Sequence, residues 1–226
     1  GEYENIAAYE VKKSDGTKVE TTVHSDNKIS FPTEVGETYT IDFHSTPEKL
    51  QGVIDQAKDL LDKMGGKVLD VQKAHLVELI QAAEKVVEEE KSDEYYNHSQ
   101  ILLKAIKVGE AAITLKDSYY AAEEVYEGRD VNEDWASYIN TAADLDNQLD
   151  AAIELLQDKE CTVTELNLMK KSVDEAKDAL LGIWDKLIVT IKPTDKEMLG
   201  AEDKVAISSE FDDLQIRYTI DGNEPT

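Results

Sequence analysis

The spacing of apolar positions changes twice along the chain. Near the start it has a period of two: Ala8 to Val11, Lys18 to His24, Lys28 to Phe31 and Thr38 to Phe43 read as short strands, with Tyr39, Ile41 and Phe43 on one face. Asp15-Gly16 and Asp26-Asn27 supply turns between them, the first with the chemistry of a tight hairpin. About four strands are predicted over residues 1–44, arranged as a meander with one apolar face. So small a sheet needs another element to cover that face.

At Ser45-Thr46-Pro47-Glu48 the period becomes 3.6. A hydroxyl to accept from free amides, a proline whose missing N–H costs nothing in the first turn and an early acidic charge open a helix there. Its stripe is Leu50, Val53, Ile54, Ala57, Leu60, Leu61 and Met64, and Gly65-Gly66 ends it. A second helix is predicted from about Leu69 to Lys91, with Leu76, Leu79, Ile80, Ala83, Val86 and Val87 on one face. Ser92-Asp93 caps a third along Leu102, Ile106, Gly109 and Ile113, where Gly109 marks a close approach between helices. No breaker follows until Gly128, so this helix either stops near Leu115 or runs on through Tyr119, Tyr120, Val125 and Tyr126 as a rod of about 50 Å.

Beyond Gly128 the pattern recurs. Asp130 or Asn132 caps a helix bearing Trp135, Ile139, Ala142, Leu145, Leu149, Ala152, Ile153 and Leu156. Thr162-Val163-Thr164-Glu165 is a capping box for another with Leu166, Met169, Val173, Ala176, Leu180 and Ile183. Ala82-Ala83 before Val86-Val87 matches Ala151-Ala152 before Leu155-Leu156 at an offset of 69, and Ala112-Ile113 matches Ala179-Leu180 at 67. Two related three-helix units follow, 45–115 and 116–186, with the long helix a candidate for sharing between them. After residue 187 the period returns to two in Ile188 to Ile191, Lys204 to Ser208 and Leu214 to Ile220, before an Asp221-Gly222 turn. With no returning strand after that turn, 187–226 reads as the start of a truncated β-module. The fold class expected is mainly α with β ends: tandem three-helix bundles flanked by short antiparallel β segments.

Charge narrows the partners. The 226 residues carry 49 Asp and Glu against 24 Lys and Arg, a net charge of −25, which repels nucleic acid and anionic membrane surfaces. No stretch reaches the ~18 apolar residues of a membrane span, so no membrane insertion is expected. The single cysteine, Cys161, excludes an intrachain disulfide framework and reads as a structural thiol beside the Thr162 cap.

The carboxylates offer little chemistry. Glu88-Glu89-Glu90, Glu123-Glu124 and the acids from Asp144 to Asp150 lie opposite the helical stripes, where they solvate a face instead of converging on a glycosidic bond. Asp130-Val131-Asn132-Glu133-Asp134 starts like a calcium loop, but Trp135 stands where the loop needs glycine and Thr141 where it needs glutamate, so helix capping explains it better. His24, His44, His75 and His98 share no metal-pair spacing and read as surface or bundle-edge residues. Neither a catalytic constellation nor a metal or cofactor is expected. The rings that could stack on a sugar or a protein partner are Tyr95, Tyr96, Tyr119, Tyr120 and Tyr126, since adjacent tyrosines diverge by about 100° on a helix and one of each pair should face outward. Trp135 and Trp184 sit on stripes and read as core.

Trp135 near a helix start, the Ala-rich stretch Ala142 to Ile153 and the closing helix Leu166 to Leu180 resemble FIVAR-type repeats, three-helix modules of secreted and wall-associated bacterial proteins. The first unit departs from that pattern, with His75 or a neighbour where the tryptophan is usual. Tyr218-Thr219-Ile220-Asp221-Gly222-Asn223-Glu224-Pro225-Thr226 is similar to the signature of the β-module at the C-terminus of chitobiases, hexosaminidases and other secreted glycoside hydrolases. Gly36-Glu37-Thr38-Tyr39 resembles the last strand of the C-terminal β-domain of fucosidase-like hydrolases. These resemblances imply a non-catalytic accessory region of an extracellular or cell-surface carbohydrate-active enzyme, whose partners are neighbouring modules of the same polypeptide. The alternative is an adhesion module gripping a polysaccharide or another surface protein.

Overall fold

The computed structural model describes residues 6–24, 28–128, 136–185, 190–192 and 205–210. It is mainly helical, with small antiparallel β segments before and after the helices. The expected Asp26-Asn27 turn, the caps at Asp130 and Asn132, Trp135 and the strand and signature from Leu214 to Thr226 lie outside the described residues.

Among the described residues five strands precede the helices: β1 (Ala8–Lys13), β2 (Lys18–Val19), β3 (Thr22–Val23), β4 (Ile29–Ser30) and β5 (Tyr39–His44). They do not form the expected meander. β1 is central, paired on one side with β2 and on the other with β5, while β3 and β4 make a separate ladder. The Asp15-Gly16 hairpin does form: Gly16 takes a positive φ of 85°, and the Asp15 carboxylate accepts from the Thr17 N–H. Val11 lies opposite both Val19 and Ile41 and is buried between them. On the other face Lys12 pairs with Glu10 and Asp42, and Lys18 also reaches Glu10. Hydrogen bonds from Lys12 and then Lys18 hold the Glu10 carboxyl down to about 2. The apolar face is covered in part by a helix, through the Phe43 and Tyr96 rings 5.4 Å apart.

Helix α1 (Pro47–Lys63) begins as the sequence dictates, with the Thr46 hydroxyl accepting from Lys49 N–H and Pro47 in the first turn. Leu50, Val53, Ile54, Ala57, Leu60 and Met64 are buried. A single 3₁₀ turn, Lys67–Leu69, leads into α2 (Asp70–Glu88). This helix ends before the expected Lys91 in a left-handed cap: Glu90 takes φ +56°, Glu90 N–H donates to the Val87 carbonyl and Lys91 N–H to the Val86 carbonyl. Helix α3 starts at Tyr95, two residues past the expected Ser92-Asp93 cap, and runs unbroken to Glu127. Its 33 residues make a rod of about 50 Å.

Helix α4 (Ala136–Leu156) buries Tyr138, Leu145, Leu149, Ala152 and Leu156. The expected stripe is corrected at its start, because Ile139 is 40% exposed while Tyr138 is 1% exposed. The spacing Tyr138, Leu145, Leu149, Ala152, Leu156 keeps one seam, and Ile139 sits beside it. Helix α5 (Val163–Asp185) buries Leu166, Val173, Ala176 and Leu180. Strands β6 (Thr190–Lys192) and β7 (Ala206–Ser208) pair antiparallel.

The chain divides into two compact units. The first holds residues 1–113 together with 157–163; the second holds 114–156 and 164–226. Among the described residues no helix is long and apolar enough to cross a membrane.

Candidate functional site

The first unit contains a cleft of about 300 Å³. Its walls come from the end of α1 (Met64), one face of α2 (Gln72, His75, Leu76, Leu79), the facing turns of α3 and the loop after α4 (Lys159, Glu160, Cys161). At Gly109 of α3 a Cβ would stand 2.8 Å from the end of the Leu60 side chain, so the close approach expected there is present and a methyl in its place would have to displace Leu60.

The loop is tied to α2 by a buried amide. Gln72 Nε2 donates to the Asp158 carbonyl at 2.6 Å and lies 3.4 Å from Cys161 Sγ. Gln72 and Cys161 are both buried, so these contacts satisfy polar groups that water does not reach. The thiol is buried beside the α5 cap. Sequence reasoning nonetheless missed its surroundings: His75, Lys104 and Lys159 share the cleft lining with it. The His75 ring is part-exposed, but its Nδ1 is buried with no hydrogen-bond partner and lies 3.9 Å from the nearer oxygen of Glu78. An unmet buried polar atom costs about 1–3 kcal/mol.

The five candidate tyrosines are divided between the two units. Tyr95 and Tyr96 belong to the first unit, Tyr119, Tyr120 and Tyr126 to the second. Tyr95 is buried and Tyr96 is half-buried against Phe43, so neither offers a free ring face. Tyr119 is buried too, and its hydroxyl donates to Glu123 Oε1 at 2.8 Å. Burial, helped by the Glu123 carboxylate, pushes this phenol up to about 12. Tyr120 is 42% exposed and packs edge-on against Tyr119 with centroids 5.3 Å apart. Tyr126 is half-buried.

The acidic runs mostly face water: Glu88, Glu89, Glu90, Glu124, Asp144, Asp146 and Asp150 are exposed. Asp174 in α5 is part-buried; burial pushes its carboxyl up, and hydrogen bonds from Lys170 and Ser118 outweigh this and hold it low. Among the described residues no three His, Cys, Asp or Glu side chains stand close enough to hold a metal ion. No protein-family model matches the chain, and neither a curated protein nor a solved structure resembles it significantly.

Proposed function

We propose that this chain is a non-catalytic accessory region of an extracellular, multimodular carbohydrate-active protein, and that it spaces and orients the modules on either side. The observation that carries this reading is α3, which supplies the first unit up to Ile113 and the second from Thr114 onward without interruption. A continuous helix acts as a semi-rigid spacer of about 1.5 Å per residue, where a loop of the same length would let its ends wander. The resemblance of residues 218–226 to a glycoside-hydrolase β-module and of the helices to FIVAR-type repeats supports the extracellular and carbohydrate-linked part of the reading.

The test places spin labels at Lys73→Cys and Asn167→Cys, exposed sites of the two units, in a Cys161→Ala background. A narrow distance distribution is expected, broadened when Gly-Gly-Ser is inserted after Ile113. Equal breadth with and without the insertion overturns the spacer reading.

Tyr120 favours a second reading, adhesion to a polysaccharide or to another surface protein. Its exposed ring is steadied by Tyr119, the arrangement that stacking on a sugar face requires. Saturable glycan binding lost in Tyr120→Ala would move the assignment to the binding class.

A further inference from the structure

We propose that the cleft of the first unit binds a small apolar molecule carrying one carboxylate. At about 300 Å³ it falls at the lower end of small-molecule sites and exceeds the single-water voids of a packed interior. The apolar wall is Leu79, Ile101, Ala105 and Val108, and Ile101 keeps 38% of its surface exposed. Helical spacing ties charge to that wall. Lys104 stands one turn before Val108 on α3, lines the cleft and is exposed, a position from which a lysine can lay its aliphatic stem along apolar surface and keep its ammonium in water.

Lys159, from the loop held by Gln72, brings a second ammonium. Neither lysine has an ion-pair partner among the described residues, whereas Lys12, Lys13, Lys58, Lys91 and Lys170 each have at least one. Glu160 is the one carboxylate among the lining residues, so the lining itself carries one net positive charge on a chain whose total is −25, with Glu78 outside it beside His75. That local reversal of sign attracts a single anionic group to an opening the rest of the surface would repel it from. His75 adds a polar edge in the same wall. An apolar tail would cover Ile101 and Leu79, and a carboxylate would pair with the two lysines; a neutral molecule satisfies only the first demand, and a small hydrophilic anion only the second.

The experiment is calorimetric titration of the full chain with sodium octanoate, octanol and sodium acetate, alongside methyl and imidazole NMR. Octanoate should bind saturably and shift the signals of Ile101, Val108 and His75. Octanol should bind at least about tenfold more weakly, and acetate not at all, because charge-assisted contacts discriminate by that order. Ala105→Phe should fill the cleft and abolish binding. The exposed pair Lys104→Gln/Lys159→Gln should weaken octanoate about tenfold without changing octanol, and it carries the test if Ala105→Phe does not fold. Octanol binding as tightly as octanoate, binding that both variants leave unchanged, or no saturation at millimolar octanoate overturns the proposal.

Discussion

The two units bury corresponding positions and fill the space between helices by different means. Leu76, Ile80 and Ala83 of α2 are buried, and so are Leu145, Leu149 and Ala152 of α4, each 69 residues further on. Ile106 and Gly109 of α3 match Val173 and Ala176 of α5 at an offset of 67. The paired positions then diverge. At Gly109 the first unit lets the Leu60 side chain press onto the α3 backbone, with Met64 beside it. The second keeps a methyl at Ala176 and buries two tyrosine rings, Tyr119 and Tyr138, where the first buries one, Tyr95. One apolar stripe is therefore compatible with a glycine or a methyl at the matching position and with different numbers of buried rings, and the difference rests on the few residues that are not aliphatic.

The largest expected effect tests the ring-filled unit. Tyr138→Ala should destabilise by about 4 kcal/mol, the usual cost of deleting a buried ring, while Ile139→Ala should cost under about 1 kcal/mol. Urea unfolding followed by circular dichroism reads both. The reverse ranking would restore the α4 register expected from apolar residues alone and would remove the ring from the second unit's core.

The close-approach unit should answer to bulk instead. Gly109→Val is expected to cost about 3 kcal/mol through overpacking against Leu60, with part of that loss recovered in the double variant with Leu60→Ala. Ala176→Gly should cost only about 1–2 kcal/mol, from helix propensity and one lost buried methyl. If Gly109→Val is tolerated and shows no coupling to Leu60, the two units do not differ in the way proposed.

Much of this is legible in the sequence, and the misses have two causes. Thr46 and Pro47, Gly109 and the unbroken stretch before Gly128 act through their own turn of helix or the next, so the sequence exposes them. Tyr138 escapes a pattern drawn from aliphatic spacing because its hydroxyl ranks it below the neighbouring isoleucine, although burying the ring removes more surface from water. Gln72 was invisible for a different reason. Its partners, Asp158 and Cys161, stand 86 and 89 residues away, and no local pattern records a contact of that range. The cleft inherits that blindness, because its lining brings α2 and α3 together with residues 159–161. The order of the sheet failed similarly: alternation reveals a strand but not that β1 pairs with β5 instead of leaving β5 at the end of a meander.

The tyrosine solution carries a liability at high pH. Unfolded, the Tyr119 phenol should lose its proton near the ordinary value of 10.0; folded, it holds the proton up to about 12. Between those limits the unfolded state binds fewer protons, so stability falls as pH rises through the window and is complete below it. The contribution is on the order of 2 kcal/mol. Unfolding midpoints at pH 9 and 11.5 should therefore drop further in the native sequence than in Tyr119→Phe. Equal drops would mean the ring is no more buried than an ordinary surface tyrosine.

The smallest effect has the opposite sign and belongs to the first unit. Glu90 closes α2 in the left-handed region, where its Cβ crowds the following carbonyl, yet its N–H and that of Lys91 complete the hydrogen bonds of a helix end. The Glu90 side chain is exposed beside Glu88 and Glu89, so no packing rewards keeping it there. Glu90→Gly should relieve the crowding and remove one charge from an acidic cluster. Against this stands the greater freedom that glycine gives the unfolded chain, which offsets part of the gain. A net stabilisation of about 0.5–1 kcal/mol is expected, as a raised urea midpoint with an unchanged slope. Asn in the same place should recover roughly half, since it tolerates this conformation better than glutamate does. A loss of stability in both variants would show that α2 does not end on a left-handed residue, and the loop from Glu90 to Glu94 would then enter α3 by a different path.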